Sequence, residues 1–277
     1  MKKRNDSKIT MAALMMMAAM AMTSCASSKK INGDSNVSKD SEMGKNEEDL
    51  DNSYLVLSDT QQDIVKKNNA FALRLFNKVT DMESKVISPM SVSYLMGMLA
   101  NGADGITQQE ILKAIGCEGV SVSDLNELYK AMLLTANKQD KQTTVNIANY
   151  IAVNKNFKLN KDFSQQVSDG YQAGIESLDF TSSKSTDRIN GWCKEKTNGM
   201  IPRIIDQVSA DAVSYLMNAI YFKGTWQNKF NAKDTKLENF RGYTRDIQKV
   251  EMMHQIKKLF YAENKDFKAV DLPYGNG

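Results

Sequence analysis

His254 is the sole histidine among 277 residues. Its surroundings offer no serine–aspartate or cysteine context. Nucleophilic catalysis needs a hydroxyl or thiol beside a base that a third group orients, so no triad is legible and His254 reads as a solvated or satisfied side chain. The three cysteines are Cys25, Cys117 and Cys193. They show no Cys-x-x-Cys spacing, and one histidine cannot complete a zinc set with them. Cys117 and Cys193 read as semi-buried thiols, with a disulfide between them left open. Gly102-x-x-Gly105 has glycines but no phosphate-loop lysine. Glu47, Glu48, Asp49 and Asp51 lie in a polar stretch and read as solvated. No enzyme site and no cofactor site emerge. Asn218 is different. It interrupts the apolar run Leu216-Met217-Asn218-Ala219-Ile220-Tyr221-Phe222, and a buried amide left unpaired costs about 1–3 kcal/mol. It therefore needs partners.

The elements around these residues suit a substantial core. The length fits one large domain or two small ones, and 42% apolar content is ordinary for a globular chain. The formal net charge is +3, but Lys2, Lys3, Arg4 and Lys8 against Asp6 place all of it in the first ten residues. No basic stripe with interleaved aromatics follows, so nucleic-acid binding is not expected.

Residues 1–24 read as a signal peptide: a basic start, then an Ala/Met-rich apolar run from Ile9 to Met22, broken only by Thr10. That run is too short to span a bilayer easily. Met22-Thr23-Ser24-Cys25 resembles the lipobox of bacterial lipoproteins, with Met22 in place of the usual leucine. The resemblance implies cleavage before Cys25 and acylation of its thiol and new amine. Several acyl chains anchor stably where one does not. Export across the inner membrane and a lipid anchor in the envelope, facing the periplasm or the exterior, are the expected location. Residues 25–59 then carry the lipidated Cys25 and a polar tether, rich in Ser, Asn, Asp, Glu and Lys, that cannot offset its ordering entropy by burial. Tyr54-Leu55-Val56-Leu57 is a short apolar patch at its end.

The folded part is expected over 60–277. A helical period starts at Thr60 (Ile64, Phe71, Leu75, Val79). Val86-Ile87-Ser88 reads as a short strand stopping at Pro89, which opens a helix to about Ala100. That helix is apolar on nearly all sides and belongs in the interior. Thr107 and Glu110 read as a capping box for 111–115. Further helices are predicted over 123–138, 162–172 and 185–196. Strands are predicted over 144–154, 175–180 and 212–222, then 249–253, 259–262 and 267–272. Helices early and strands late give an α+β class.

Several pieces, in order, resemble the serpins, a family of protease-trapping inhibitors. They are Asn69-Ala70-Phe71-Ala72; Ile87-Ser88-Pro89-Met90-Ser91-Val92; Gly102 to Ile111; Ile189-Asn190-Gly191-Trp192 with Thr197-Asn198-Gly199-Met200-Ile201; the Leu216–Trp226 run; Phe230, Thr235 and Phe240; Val250-Glu251-Met252-Met253; and Leu272-Pro273-Tyr274. The resemblance implies a helical cluster packed on mixed β-sheets, C-terminally incomplete. It implies suicide inhibition of a serine or cysteine protease, whose target protease is the partner alongside the lipid membrane reached through Cys25. Ser88, Ser91 and Asn218 match a polar cluster, the shutter, beneath the central sheet, and Trp226 matches the breach at the sheet's top, where the reactive loop begins to insert. Hydroxyls donate and accept, so Asn218 is expected to bond near Ser88 and Ser91. The reactive loop itself is expected to lie beyond Gly277. The other reading is a non-inhibitory serpin-like binding or scaffold lipoprotein, or a degraded gene product.

Overall fold

The computed structural model describes residues 55–81, 85–136, 141–243 and 245–276. The expected signal peptide, Cys25 and most of the tether lie outside them. Four helices come first: α1 (Asp59–Val79), α2 (Pro89–Asn101), α3 (Gly105–Ala114) and α4 (Val122–Ala136). Then follow β1 (Thr143–Asn154), α5 (Lys161–Tyr171), β2 (Gly174–Leu178), α6 (Ser183–Lys196) and β3 (Ser214–Gly224). The chain closes with β4 (Lys236–Arg241), β5 (Ile247–Met252), β6 (Tyr261–Glu263) and β7 (Lys268–Val270).

Caps set the helix starts. Ser58 and Gln61 cap α1 reciprocally: Ser58 Oγ accepts from Gln61 N at 3.3 Å and Gln61 Oε1 from Ser58 N at 3.0 Å. Ser88 caps α2, with Pro89 in its first turn. Val86-Ile87-Ser88, expected as a strand, pairs with no strand among the described residues and leads into α2. The expected box at Thr107 is also replaced. Asp104 accepts from Gly105 N at 2.7 Å and starts α3 earlier. An aspartate in β conformation is as good a cap as a threonine, and it comes first along the chain.

The main sheet has the order β2-β1-β3, with β1–β2 parallel and β1–β3 antiparallel. Side chains alternate across it. Ile147, Ile151, Val153 and Leu216 join the core under α1, α2, α4 and α5. Ala148, Tyr150, Ala152, Met217 and Ala219 face α6 with Ile189, Trp192 and Cys193. The sheet is thus a partition between two cores. On the helical side Tyr94, Tyr129 and Tyr171 meet with ring centroids 4.7–6.2 Å apart. Gly97 makes room for them: a Cβ there would stand 2.4 Å from Tyr171 Oη. The apolar α2 predicted to be interior sits in that core, with Tyr94, Met98 and Ala100 buried.

The later strands form two separate ribbons, β4–β5 and β6–β7. β4 has no counterpart among the predicted strands, and the predicted 259–262 and 267–272 shorten to three residues each. Leu237 and Phe240 fall on opposite faces of β4, so period-2 alternation is missing from it.

Candidate functional site

β3 carries Asn218 directly opposite Asn149 of β1 in the antiparallel register. Both belong to the face that looks toward the helical cluster, since Leu216 and Ile151, two residues away on each strand, pack into that core. Asn218 Nδ2 donates to Asn149 Oδ1 at 2.8 Å and to the Ala148 carbonyl at 3.4 Å. Asn149 Nδ2 in turn donates to the Tyr171 carbonyl at 2.7 Å. The amide pair therefore links β3, β1 and the end of α5.

The serines form a second pair. Ser88 Oγ and Ser91 Oγ lie 2.9 Å apart, and Ser88 Oγ also accepts from Ser91 N at 3.3 Å. α2, which they open, packs against β3, but neither hydroxyl bonds Asn218. The partners expected for Asn218 thus differ from those found. A strand neighbour in register brings its amide within reach without any helix having to approach, and each serine is already engaged by the other. Asn218 Oδ1 is buried and has no hydrogen-bond partner among the described residues. Asn149 was missed from sequence although Asn146 and Asn149 stand in an apolar strand just as Asn218 does.

At the far end of β3, Trp226 is half-buried in an aromatic cap. Its ring stacks on Tyr274, with centroids 4.1 Å apart and planes at 17°, and Phe230 meets it edge-on at 6.0 Å. Trp226 and Tyr274 also pair through an isolated bridge. Gln227 N donates to Pro273 O at 2.9 Å and Gly275 N to Thr225 O at 2.8 Å. Gly224 permits the approach: a Cβ there would lie 2.6 Å from the Phe222 ring and 2.8 Å from that of Tyr274. Tyr274 is thus a part of this cap that its sequence motif did not reveal.

The remaining chemical groups are quiet. Cys117 and Cys193 are free and buried, in cores on opposite sides of the sheet, so the disulfide left open does not form. Burial pushes the Cys117 thiol up to about 11, which removes it as a nucleophile at neutral pH. His254 sits 3.1 Å from Glu238 Oε1 on the surface. Among the described residues no group of three or more His, Cys, Asp or Glu could hold a metal, and no helix is long and apolar enough to cross a membrane.

Residues 66–277 match the family profile described as Serpin (serine protease inhibitor). The chain belongs to the serpin family. Among relatives, it is 30% identical over 208 residues to serine protease inhibitor 42Dd of Drosophila melanogaster, covering 73% of this chain and 56% of that protein. It is 33% identical over 216 residues to the leukocyte elastase inhibitor of Bos taurus, covering 75% and 56%. Among solved structures, the thermophilic serpin tengpin in its latent state matches with a TM-score of 0.71 and 31% identity, covering 80% of this chain and 59% of that one. The same serpin in its native state also gives 0.71, covering 80% and 56%. This chain therefore spans little more than half the length of the relatives it matches. Serpins are protease inhibitors rather than enzymes, and the relatives named above are inhibitors by name. The fold is the α+β arrangement of helices on mixed sheets that the motifs imply.

Proposed function

We propose that the protein acts as a serpin-type suicide inhibitor of serine or cysteine proteases, tethered to a bacterial envelope through acylated Cys25. The observation that carries the inhibitor reading is the family match over 66–277. Trp226 stands at the end of β3, where insertion would begin. Asn218, whose Oδ1 lacks a donor among the described residues, stands midway along it. In this reading Ser88, Ser91 and Asn218, now joined by Asn149, govern how readily the sheet accepts the inserting loop.

The test is incubation of the protein, purified at its native length, with a panel of trypsin-like, chymotrypsin-like, elastase-like and papain-like proteases. A complex that survives denaturing electrophoresis, with protease activity lost in proportion, is the expected result. Plain cleavage or no reaction across the panel would favour the non-inhibitory binding reading.

The tether reading rests on Met22-Thr23-Ser24-Cys25. Wild-type protein is expected in the membrane fraction and in detergent extracts. Cys25→Ala, which removes the acylated thiol, should shift most of it to the soluble fraction, because several buried acyl chains otherwise hold it. Membrane association unchanged by Cys25→Ala would count against lipidation.

A further inference from the structure

α6 lies across the sheet on the side away from the helical cluster, and two kinds of contact hold it there. The apolar contact is Ile189, Trp192 and Cys193 against Tyr150, Ala152, Met217 and Ala219. The polar contact converges on one carboxylate at the sheet's edge, Glu176 of β2. Its Oε1 accepts from Arg188 Nε at 3.2 Å, and its Oε2 lies 2.8 Å from Arg188 Nη2. Oε2 also accepts from Tyr150 Oη at 2.7 Å. Arg188 Cζ stands 5.6 Å from the centre of the Tyr150 ring, and that ring stacks on Trp192 at 5.1 Å and 20°. One side chain thus joins β2, β1 and α6. The other side-chain hydrogen bonds of α6 to different elements run to its own flanking segments. Ser185 Oγ donates to Asp179 O, Asn190 Oδ1 accepts from Ile204 N and Ile205 N, and Thr186 Oγ1 accepts from Val208 N. The flanks hold the sheet in their own right, through Asn154 Nδ2 donating to Ala210 O and Ala212 O and through the Lys155–Asp179 pair; Glu176 is the sheet residue that a side chain of α6 itself grips.

We propose that Glu176 is a clasp that fastens α6 to the edge of the sheet, so that neutralising this one carboxyl frees the helix to lift while the sheet and the helical cluster stay folded. A bidentate arginine and a tyrosine hydroxyl on one carboxylate are the geometry in which a partly exposed pair has a measurable effect. The site opens to a groove of about 650 Å³ bordered by Asn149, Gly174, Glu176, Arg188, Trp192 and Lys196, so water and protons reach it. Partial withdrawal from water raises the affinity of Glu176 for a proton, but the Tyr150 and Arg188 hydrogen bonds outweigh this and hold its carboxyl below the ordinary range. The fastening is therefore complete above about pH 4.5 and is lost as pH falls through the lowered value. The other titratable groups facing it are Tyr150 on β1, neutral because its hydroxyl keeps the proton it donates, and Arg188, Glu195 and Lys196 on α6. Glu195 and Lys196 are paired at 2.8 Å. α5 turns toward it through uncharged Gln172.

This inference stands apart from the inhibitor reading, because its readout is the helix itself. Amide hydrogen exchange would be followed in peptides from α6 and, as controls, from β1, β3 and α2. At pH 7 Glu176→Gln and Arg188→Met should each speed exchange in α6 by about five- to tenfold, with the control peptides unchanged. Their combination should be no faster than either alone. Tyr150→Phe, which keeps the stacked ring, should give a smaller increase. The ratio of Glu176→Gln to wild-type rates should shrink toward one as the pH is lowered below 4.5. Unchanged α6 exchange in both Glu176→Gln and Arg188→Met would overturn the proposal. So would an acceleration shared equally by the control peptides, or a ratio independent of pH.

Discussion

Trp192→Ala is expected to lower the unfolding free energy by about 3–5 kcal/mol, the usual cost of truncating a large buried aromatic. Trp192 is 5% exposed, and its ring fills the space between α6 and Tyr150. The other apolar contacts of α6 with the sheet are Ile189 and Cys193, side chains too small to close the gap. The variant should lose stability chiefly by unseating α6 from its side of the partition. Urea unfolding followed by circular dichroism gives the magnitude. The chain has two tryptophans, so in this variant fluorescence reports Trp226 alone, at the other end of β3. Its emission in native buffer should be unchanged, because the Tyr274 and Phe230 contacts are remote from α6. A loss below about 1 kcal/mol would mean that α6 is not held by this ring. Trp192→Phe should recover a large part of the loss.

The second large effect belongs to the opposite face. Tyr171→Ala should also cost about 3–5 kcal/mol, because Tyr171 is fully buried against Tyr94 and Tyr129. Tyr171→Phe isolates the hydroxyl, which donates to Asn126 Oδ1 at 2.8 Å. That oxygen also receives Asn101 Nδ2 at 2.9 Å and is not orphaned by the change. The loss should then be about 0.5–1.5 kcal/mol. Gly97 supplies the check on geometry. Gly97→Ala in the wild type gains helix propensity but meets Tyr171 Oη at 2.4 Å, so it should be destabilising by about 1–3 kcal/mol. In a Tyr171→Ala background the same change should be much less destabilising, since only the Tyr129 ring, 3.1 Å from the added Cβ, still crowds it and alanine favours a helix by about 1 kcal/mol. Additive effects of the two substitutions, measured by urea unfolding, would show that the rings do not approach Gly97 as described.

The helices and the long strands were legible because their signals are local. Ser88-Pro89 opens α2, Asn160 opens α5 at 161 and Ser182 opens α6 at 183, each within two residues of the predicted start. Where a boundary moved, a neighbouring residue offered equivalent chemistry, as Asp104 did ahead of Thr107. Residues 86–88 looked like a strand because Val86 and Ile87 favour extended backbone. A strand also needs a paired neighbour, and among the described residues none lies beside them. β4 escaped notice for the converse reason: its backbone pairs with β5 although Leu237 and Phe240 break the alternation.

The site divides the same way. That Asn218 needs a hydrogen-bond partner follows from an amide set in an apolar run, and that Trp226 closes the strand follows from Gly224 and the order of the motifs. Family membership was likewise readable from separate short pieces, each locally encoded. Which atoms answer Asn218 was decided by the antiparallel register of β1 and β3, which sets Asn149 opposite it and leaves the serines to each other. Tyr274 comes under Trp226, and Glu176 reaches both Tyr150 and Arg188, only because the strands and α6 are brought together from distant parts of the chain. Local sequence determines what each residue requires of its surroundings. Strand register and the packing of α6 on the sheet determine which of the available groups supplies it, because those distances exist only after the chain has folded.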